Sequence, residues 1–347
     1  MNIQELIRTN VKNMKPYSSA RDEFEDFKKK MIFLDANENP FDNGINRYPD
    51  PLQKDLKLKI AQIKDVNANQ ILLGNGSDEV LDLLFRAFCE PNIDNVITLP
   101  PTYGMYEVLA NLNAIENREV ILDANFQPNL EGIYNAISSN TKIIFLCSPN
   151  NPTGNSFTKE SIIHLLENFK GIVLLDEAYI DFSEKESWLK ELENYPNLVI
   201  IQTLSKAFGM AGLRLGVLYA SLEIISILNK IKPPYNINIL TQSKALSELF
   251  LFNDIESKTH YLQEEKDNLS KVLLDINFIE KVYPSDANFI LVKVDNATKR
   301  YSQLLDNGIV IRNRSNQPLL ENCLRITVGT KGENTTLITT LKNLENA

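Results

Sequence analysis

The stretch GIVLLD (171–176) is an unbroken apolar run that ends in a carboxylate. A run of this length without alternating polar residues is typical of a strand that is buried on both faces of a sheet. Similar runs precede and follow it, KIIFLC (142–147) and LVIIQTL (198–204), and a helical pattern near 158–169 separates the first two runs. Strands and helices that alternate in this way predict an α/β fold with a mostly parallel sheet flanked by helices.

The same alternation extends in both directions along the chain. Upstream lie ILLG (71–74) and VITL (96–99), and downstream lie LRLGVLYA (213–220), a long helical stretch at 238–276, ANFILVKV (287–294), GIVIR (308–312) and CLRITVG (323–329). The length of 347 residues exceeds the roughly 250–300 residues at which a single core stops growing. We therefore expect an irregular N-terminal arm (1–45), a large domain (46–250) and a smaller α/β C-terminal domain (251–347).

The composition excludes several classes of protein. With Lys+Arg 36 against Asp+Glu 45 the net charge is -9, which argues against broad binding to nucleic acid or to an anionic membrane. The three cysteines have no short spacing between them, and the chain has only two histidines. These counts argue against a disulfide framework, a metal site and a Ser-His-Asp triad. We expect a soluble, cytoplasmic protein without a metal ion, in which a few local arginines bind any anionic ligand.

Ligands of open α/β sheets bind at the carboxyl ends of the strands, so polar residues after apolar runs are candidate site residues. Four segments qualify: GNGSDE (74–79), CSPNNPTG (147–154), DEAY (176–179) and TLSKAFGMAGLRLG (203–216). Taken alone, each has an ordinary interpretation as a turn, a capping carboxylate or a solvated lysine. Together they supply a phosphate-binding turn, a carbonyl-reactive lysine, a strand-end carboxylate and a Tyr/Asn pair, which are the groups that pyridoxal 5'-phosphate requires.

At this point the sequence resembles a known family. Motifs that carry the resemblance occur along nearly the whole chain: KPYSSARDE (15–23), LDANENP (34–40), RYPDP (47–51), PPTYGMY (100–106), CSPNNPTG, DEAYIDF (176–182), TLSKAFGMAGLRLG and LRITVGT (324–330). They are similar to those of the fold-type I, aspartate-aminotransferase-like enzymes, and more narrowly to those of the histidinol-phosphate aminotransferase family. The resemblance implies the PLP-dependent transferase fold type I, with a seven-stranded sheet and an arm that packs on the small domain and a partner subunit.

The resemblance also implies a role for each matching residue. The catalytic groups would be Lys206, which binds the cofactor covalently and moves the substrate proton, Asp176 at the pyridine nitrogen and Tyr179 at the phenolic oxygen. The other cofactor-binding residues would be Asn151 at the phenolic oxygen, Tyr103 on the ring face, Ser77, Asp78, Thr203, Ser205 and Arg214 at the phosphate, and Tyr48 from a neighbouring subunit. The substrate-binding residues would be Tyr17, Asn37, Arg312 and Arg325.

The implied reaction is reversible amino transfer between L-glutamate and imidazole-acetol phosphate, giving 2-oxoglutarate and L-histidinol phosphate, by a homodimer with shared active sites. Two alternatives within the same fold stay open: an aromatic-amino-acid aminotransferase and an O-phospho-amino-acid decarboxylase. A third alternative, from a different class, is a non-catalytic PLP-binding regulator. Such proteins usually carry an additional DNA-binding domain with basic residues, whereas this chain has a net acidic charge and its PLP-type fold is expected to begin by about residue 35.

Overall fold

A computed structural model describes residues 2–16 and 32–345. Eleven strands are present in this part of the chain: β1 Ile71–Asn75, β2 Asn95–Thr98, β3 Glu116–Glu119, β4 Thr141–Cys147, β5 Ile172–Asp176, β6 Leu198–Thr203, β7 Leu215–Ala220, β8 Ile279–Val282, β9 Phe289–Val294, β10 Arg312–Asn313 and β11 Cys323–Thr327. The α-helices of the same residues are α1 Thr9–Asn13, α2 Lys54–Lys64, α3 Ser77–Phe88, α4 Met105–Leu112, α5 Leu130–Ala136, α6 Lys159–Asn168, α7 Leu222–Ile231, α8 Ile239–Leu249, α9 Phe252–Leu273, α10 Ala297–Asp306 and α11 Lys331–Leu344.

The larger sheet has seven strands in the order β1-β7-β6-β5-β4-β2-β3. Neighbouring strands are parallel from β6 to β3, whereas β7 runs antiparallel to both β6 and β1. The predicted α/β class and the seven-stranded, mostly parallel sheet are therefore confirmed. The reversed β7 was not predicted, because an apolar run shows burial but not strand direction.

Each central strand of this sheet is covered on both faces. In β5, Ile172 and Leu174 pack into one buried cluster, while Val173 and Leu175 pack into the other. The continuous apolar run arises because alternate side chains enter two separate cores. The amphipathic helix α3 closes one core with its buried face.

The sheet topology collects the polar strand ends at one edge. The register aligns Cys147 of β4 with Asp176 of β5, and Thr203 of β6 with Gly216 of β7. Since β1 is antiparallel to β7, which is itself antiparallel to β6, the carboxyl end of β1 lies at this same edge. The start of β7 lies there as well, so residues that are distant in the chain converge on one side of the sheet.

The smaller sheet has four strands in the order β10-β11-β9-β8. One face of it, with Ile290, Val292 and Ile326, packs against the C-terminal helices in a core of its own. The other face places Leu291 and Cys323 in the same cluster as the larger sheet. The small sheet therefore joins its own core to the large sheet, while the predicted domain boundaries at 45 and 250 stay predictions.

Three local details differ from what the sequence pattern predicts. The expected strand at 308–312 is only the two-residue β10. The helical stretch at 238–276 is divided into α8 and α9, with Phe250 and Leu251 between them. The pair Asp50-Pro51 favours a helix start, but α2 begins only at Lys54, after Gln53 in a left-handed conformation. All three concern element ends, where local propensity competes with tertiary packing.

Residues 2–16 belong structurally with the large sheet. Ile3 and Val11 are buried in the cluster that α3 closes, and Lys230 Nζ donates to the carbonyl oxygen of Val11 at 2.6 Å. The predicted contacts of the arm with the small domain and a partner subunit stay a prediction. Within residues 2–16 and 32–345, no helix combines the length and the apolar character that a membrane span needs.

Substitution of Gly216 tests how closely β7 packs against the start of α3, at the sheet edge where the polar strand ends converge. A Cβ at Gly216 would lie 2.3 Å from the backbone nitrogen of Ser77, so Gly216→Ala must push β7 away from the start of α3. We expect the free energy of unfolding to fall by about 1–3 kcal/mol, measured by urea denaturation. The control Gly332→Ala, with open space around the new Cβ, should change it by no more than about 1 kcal/mol. Equal stabilities of the two variants would contradict this account.

Candidate active site

A cleft of about 520 Å³ opens at the edge where the polar strand ends converge. Its lining contains all ten residues that the sequence predicts for one subunit's share of the cofactor site: Ser77, Asp78, Tyr103, Asn151, Asp176, Tyr179, Thr203, Ser205, Lys206 and Arg214. Cys147 and Ala178 complete the lining. The cleft is therefore formed by the ends of β1, β4, β5 and β6 and by the start of β7.

Lys206 follows β6 in a tight turn and points into the cleft. Its Nζ lies 5.6 Å from the centroid of the Tyr179 ring. Burial lowers the pKa of Lys206, the Arg325 cation lowers it further, and Asp176 acts in the opposite direction. A lysine with a lowered pKa has more of the neutral amine near pH 7, which is the form that attacks a carbonyl carbon.

Asp176 ends β5 and is only 3% exposed. Its carboxylate accepts hydrogen bonds from the Tyr106 hydroxyl at 2.7 Å and from the Ala178 backbone N–H at 3.1 Å. Burial raises the pKa of Asp176, while these two bonds lower it. Within residues 2–16 and 32–345 no cation lies within ion-pair distance of Asp176, although the charge of Lys206 in the same cleft also lowers its pKa.

Tyr106 is a site residue that the sequence analysis missed. It is fully buried, stacks on Phe145 with ring centroids 4.9 Å apart, and meets Tyr103 edge-on at 5.5 Å. The motif PPTYGMY contains both tyrosines, but only the packing of α4 against β5 shows that Tyr106 reaches the carboxylate. Its hydroxyl orients Asp176 and favours the charged form.

Replacing Tyr106 by phenylalanine removes a hydrogen bond that lowers the pKa of Asp176. The pKa of Asp176 should rise, so the acid limb of the kcat pH profile should move to higher pH, with a loss of about tenfold in kcat/KM. Tyr134→Phe is the control, because its hydroxyl donates to a helix carbonyl elsewhere, at His164. An unchanged acid limb in Tyr106→Phe would show that the bond does not tune Asp176.

The start of α3 forms a cradle for an anion. The first N–H groups of a helix, here those of Ser77 and Asp78, lack intrahelical acceptors and carry the positive end of the helix dipole. Gly76 precedes them at φ +83°, and a Cβ there would lie 2.5 Å from Nη2 of Arg214. The glycine therefore lets the guanidinium approach the helix start, where it also lies 3.6 Å from Asp78 Oδ2.

Arg325 connects the small sheet to the cleft. It lies on β11, its guanidinium stands 5.1 Å from the centroid of the Phe289 ring, and Nη1 donates to Asn151 Oδ1. Asn151 keeps its own N–H donors for another partner. Arg312 is paired opposite Arg325 in the β10–β11 register, so the two predicted substrate-binding arginines are neighbours.

Two other predicted residues, Tyr48 and Asn37, do not line this cleft in the described part of the chain. Tyr48 is 51% exposed and stacks on Tyr235 with ring centroids 4.5 Å apart. Asn37 is exposed at a left-handed position, φ 54°, and neither residue belongs to the cleft lining. Tyr17 lies outside the described residues. Their predicted roles stay predictions.

A larger cavity, of about 1190 Å³, lies elsewhere on the surface between Trp188 and Lys159. The buried carboxylate beside it, Glu177, already accepts hydrogen bonds from Ser187, from the Trp188 N–H and from Gln202. That carboxylate is satisfied by these hydrogen bonds, and neither Lys206 nor Asp176 lines this larger cavity.

Comparison with known proteins agrees with the site. The family Aminotransferase class I and II matches residues 19–341. A histidinol-phosphate aminotransferase from Flavobacterium johnsoniae is 65% identical over 343 residues, covering 99% of this chain and 98% of that protein. The crystal structure of the histidinol-phosphate aminotransferase from Clostridium acetobutylicum superposes with a TM-score of 0.80 at 29% identity, over 87% of this chain and 91% of that one.

A third likeness concerns the fold alone. The histidinol-phosphate aminotransferase from Sinorhizobium meliloti, solved in complex with pyridoxal-5'-phosphate, superposes with a TM-score of 0.79 at 22% identity, over 86% of this chain and 83% of that one. The cleft places a lysine and a buried carboxylate at the edge of the large sheet. The relative from Flavobacterium johnsoniae is 65% identical over 99% of this chain. The chain belongs to the class I and II aminotransferase family and, within it, to the histidinol-phosphate aminotransferases.

Proposed function

We propose that this protein catalyses reversible amino transfer between L-glutamate and imidazole-acetol phosphate, yielding 2-oxoglutarate and L-histidinol phosphate, with pyridoxal 5'-phosphate as cofactor. The observation that carries the proposal is the pairing, in one cleft, of Lys206 with a lowered pKa and Asp176 buried without a counter-cation. A lysine alone would fit many functions. No cation of the described residues lies within ion-pair distance of this carboxylate, and a protonated pyridine nitrogen would supply one.

The residues of the cleft fit this cofactor. A phosphate needs several N–H donors without a bulky Cβ in the way, and the α3 start with Gly76 and Arg214 offers such a cradle. Ser205 and Thr203 stand at its border, where the Ser205 N–H donates to the Thr203 hydroxyl at 3.1 Å. When bound, the cofactor supplies an aldehyde for amine chemistry and a ring that withdraws electrons from the substrate carbon.

The protein groups then have separate tasks. Lys206 would hold the cofactor covalently and, as general base and acid, would move the proton of the substrate Cα. Asp176, supported by Tyr106, would keep the ring nitrogen protonated. Tyr179 and Asn151 would donate hydrogen bonds to the phenolic oxygen, and Tyr103 would cover the ring face.

The substrate anion belongs to the small-sheet side of the cleft. Arg325 offers a planar fork that suits either the carboxylate of glutamate or the phosphate of histidinol phosphate. Its link to Asn151 holds that fork beside the residue that contacts the phenolic oxygen. One arginine site can therefore serve both half-reactions, as a two-step transaminase requires.

We further propose a cytoplasmic homodimer in which Tyr48 of each subunit reaches the cofactor phosphate of the other. The exposed Tyr48 ring and its position outside the chain's own cleft support this arrangement. All three cysteines are free and buried, in keeping with a reducing compartment. Sedimentation should give a dimer, and Tyr48→Phe should weaken cofactor retention; a fully active monomer would contradict the shared site.

The function is tested with the purified holoenzyme. Histidinol phosphate and 2-oxoglutarate should give glutamate in a coupled assay, and no carbon dioxide should be released. Carbon dioxide from an O-phospho amino acid would instead support the decarboxylase alternative. Faster turnover of phenylalanine or tyrosine than of histidinol phosphate would support the aromatic aminotransferase.

A further inference from the structure

A third arginine, Arg314, stands beside the two that the sequence analysis named. The β10–β11 register pairs Arg312 with Arg325, and the ladder continues one step further because the Arg314 N–H donates to the Cys323 carbonyl oxygen at 2.9 Å. Side chains two residues apart on a strand share a face. Arg312, Arg314 and Arg325 therefore project from the same face of the small sheet, the face that carries Arg325 to Asn151.

These three cations have no neutralising carboxylate among residues 2–16 and 32–345. In the described part of the chain no carboxylate lies within ion-pair distance of any of them. The Nε atoms of both Arg314 and Arg325 are buried without a hydrogen-bond acceptor there. Burial lowers the pKa of Arg314, as do the neighbouring Arg325 and Arg312 cations, whereas Tyr179 raises it. Buried donors with mutual repulsion and no partner indicate that an anion belongs among them.

The two amino donors present different anions to such a cluster. In glutamate the α-carboxylate carbon is bonded directly to Cα, and its single negative charge matches one arginine fork. In histidinol phosphate a methylene carbon and an ester oxygen separate Cα from phosphorus. The phosphate carries a charge of about -1.5 to -2 at pH 7 and three acceptor oxygens. It therefore extends further from Lys206 and can bind more than one guanidinium at once.

We propose that Arg314 is a specificity-determining residue that binds the phosphate of the phosphorylated substrate together with Arg325, and does not contact the α-carboxylate of glutamate. This inference rests on the proposed function. It assigns the two half-reactions different arginine requirements: Arg325 serves both substrates, while Arg314 serves only the one that carries a phosphate.

The experiment compares wild-type, Arg314→Gln and Arg314→Lys holoenzymes in separate half-reactions, followed by the loss of the long-wavelength cofactor absorbance. The substrates are L-histidinol phosphate, L-histidinol without the phosphate, and L-glutamate. In Arg314→Gln we expect kcat/KM for histidinol phosphate to fall about 10- to 100-fold, and the values for glutamate and histidinol to change less than about threefold. Arg314→Lys, which keeps the charge but not the fork, should recover part of the loss.

A second readout does not depend on the phosphorylated substrate. Inorganic phosphate should inhibit the glutamate half-reaction of the wild-type enzyme, and it should inhibit Arg314→Gln at least about tenfold less well. Arg86→Gln is the matched control for charge, since Arg86 lies half-exposed on α3 and pairs with Asp82. That variant should behave as the wild type in every assay.

The outcomes separate the inference from the proposed function. Equal losses for histidinol phosphate and glutamate in Arg314→Gln, or no loss for either, would overturn the role of Arg314 and leave the aminotransferase proposal intact. A wild-type enzyme that reacts with glutamate but not with histidinol phosphate would refute the proposed function and this inference together.

Discussion

Lys206→Ala is expected to abolish amino transfer, with a fall in kcat of about 10⁴-fold or more, because one residue performs two tasks. It binds the cofactor carbon covalently, and it carries the proton between substrate and cofactor. In the structure the Lys206 Nζ lies over the Tyr179 ring, in the cleft that Asp176 also lines. The rate is measured as glutamate formed from histidinol phosphate and 2-oxoglutarate.

The cofactor spectrum gives an independent test of the same change. The wild-type protein should keep a long-wavelength absorbance after dialysis, whereas Lys206→Ala should lose it, or keep only non-covalently bound cofactor. Lys190→Ala is the control, since Lys190 is an exposed residue that pairs with Glu186. Retention of the wild-type band by Lys206→Ala would show that another amine holds the cofactor.

Asp176→Asn should have the second-largest effect. It should lower kcat but raise the stability of the cofactor-free protein. Without a carboxylate the ring nitrogen is not held protonated, so kcat should fall roughly 10²- to 10⁴-fold. The cofactor-free protein should nevertheless become more stable, because a buried charge without a counter-cation is removed. Function and stability therefore conflict at this residue.

The raised pKa of Asp176 determines how its effect on the stability of the cofactor-free protein changes with pH. Burial raises the pKa of Asp176 above its ordinary value of 3.8, so the folded cofactor-free protein binds this proton more tightly than the unfolded chain. The carboxylate is destabilising once the pH rises through the folded-state pKa, and this effect disappears towards and below pH 3.8. The stability gain of Asp176→Asn should thus be largest near neutral pH and shrink on acidification.

Urea denaturation of the two cofactor-free proteins between about pH 5 and 8 measures this difference. Asp306→Asn, an exposed residue near the end of α10, serves as the control. An Asp176→Asn variant with normal turnover, or one that is less stable than the wild type at neutral pH, would refute the assignment of Asp176 to the ring nitrogen.

The main part of the site could be predicted because the ends of buried strands can be recognised in the sequence. Lys206 and Asp176 directly follow apolar runs, and parallel strands carry such residues to a common edge. The residues Ser77 and Asp78 were found for a related reason, since a glycine turn that enters a helix has a known electrostatic character. The structure brings these four residues to one cleft.

The residues that were missed depend on tertiary register. Tyr106 contacts a carboxylate that is distant in the chain, and nothing in its local pattern distinguishes it from an ordinary core tyrosine. Arg314 directly follows the two-residue strand β10, which is too short to give a periodic pattern in the sequence. The direction of β7 could not be predicted either, because burial patterns are the same for both directions.

The reversal of β7 has a consequence for how this sequence can change. Because β6 and β7 pair antiparallel from Thr203 and Gly216 onward, the segment between them is a closed loop that leaves and re-enters the same edge. It carries Lys206 near its start and Arg214 near its end, the residues proposed to bind the cofactor covalently and to bind its phosphate. Insertions or deletions in 204–215 would change the spacing between these two groups. Among natural or designed variants, this loop should be the least tolerant of length change.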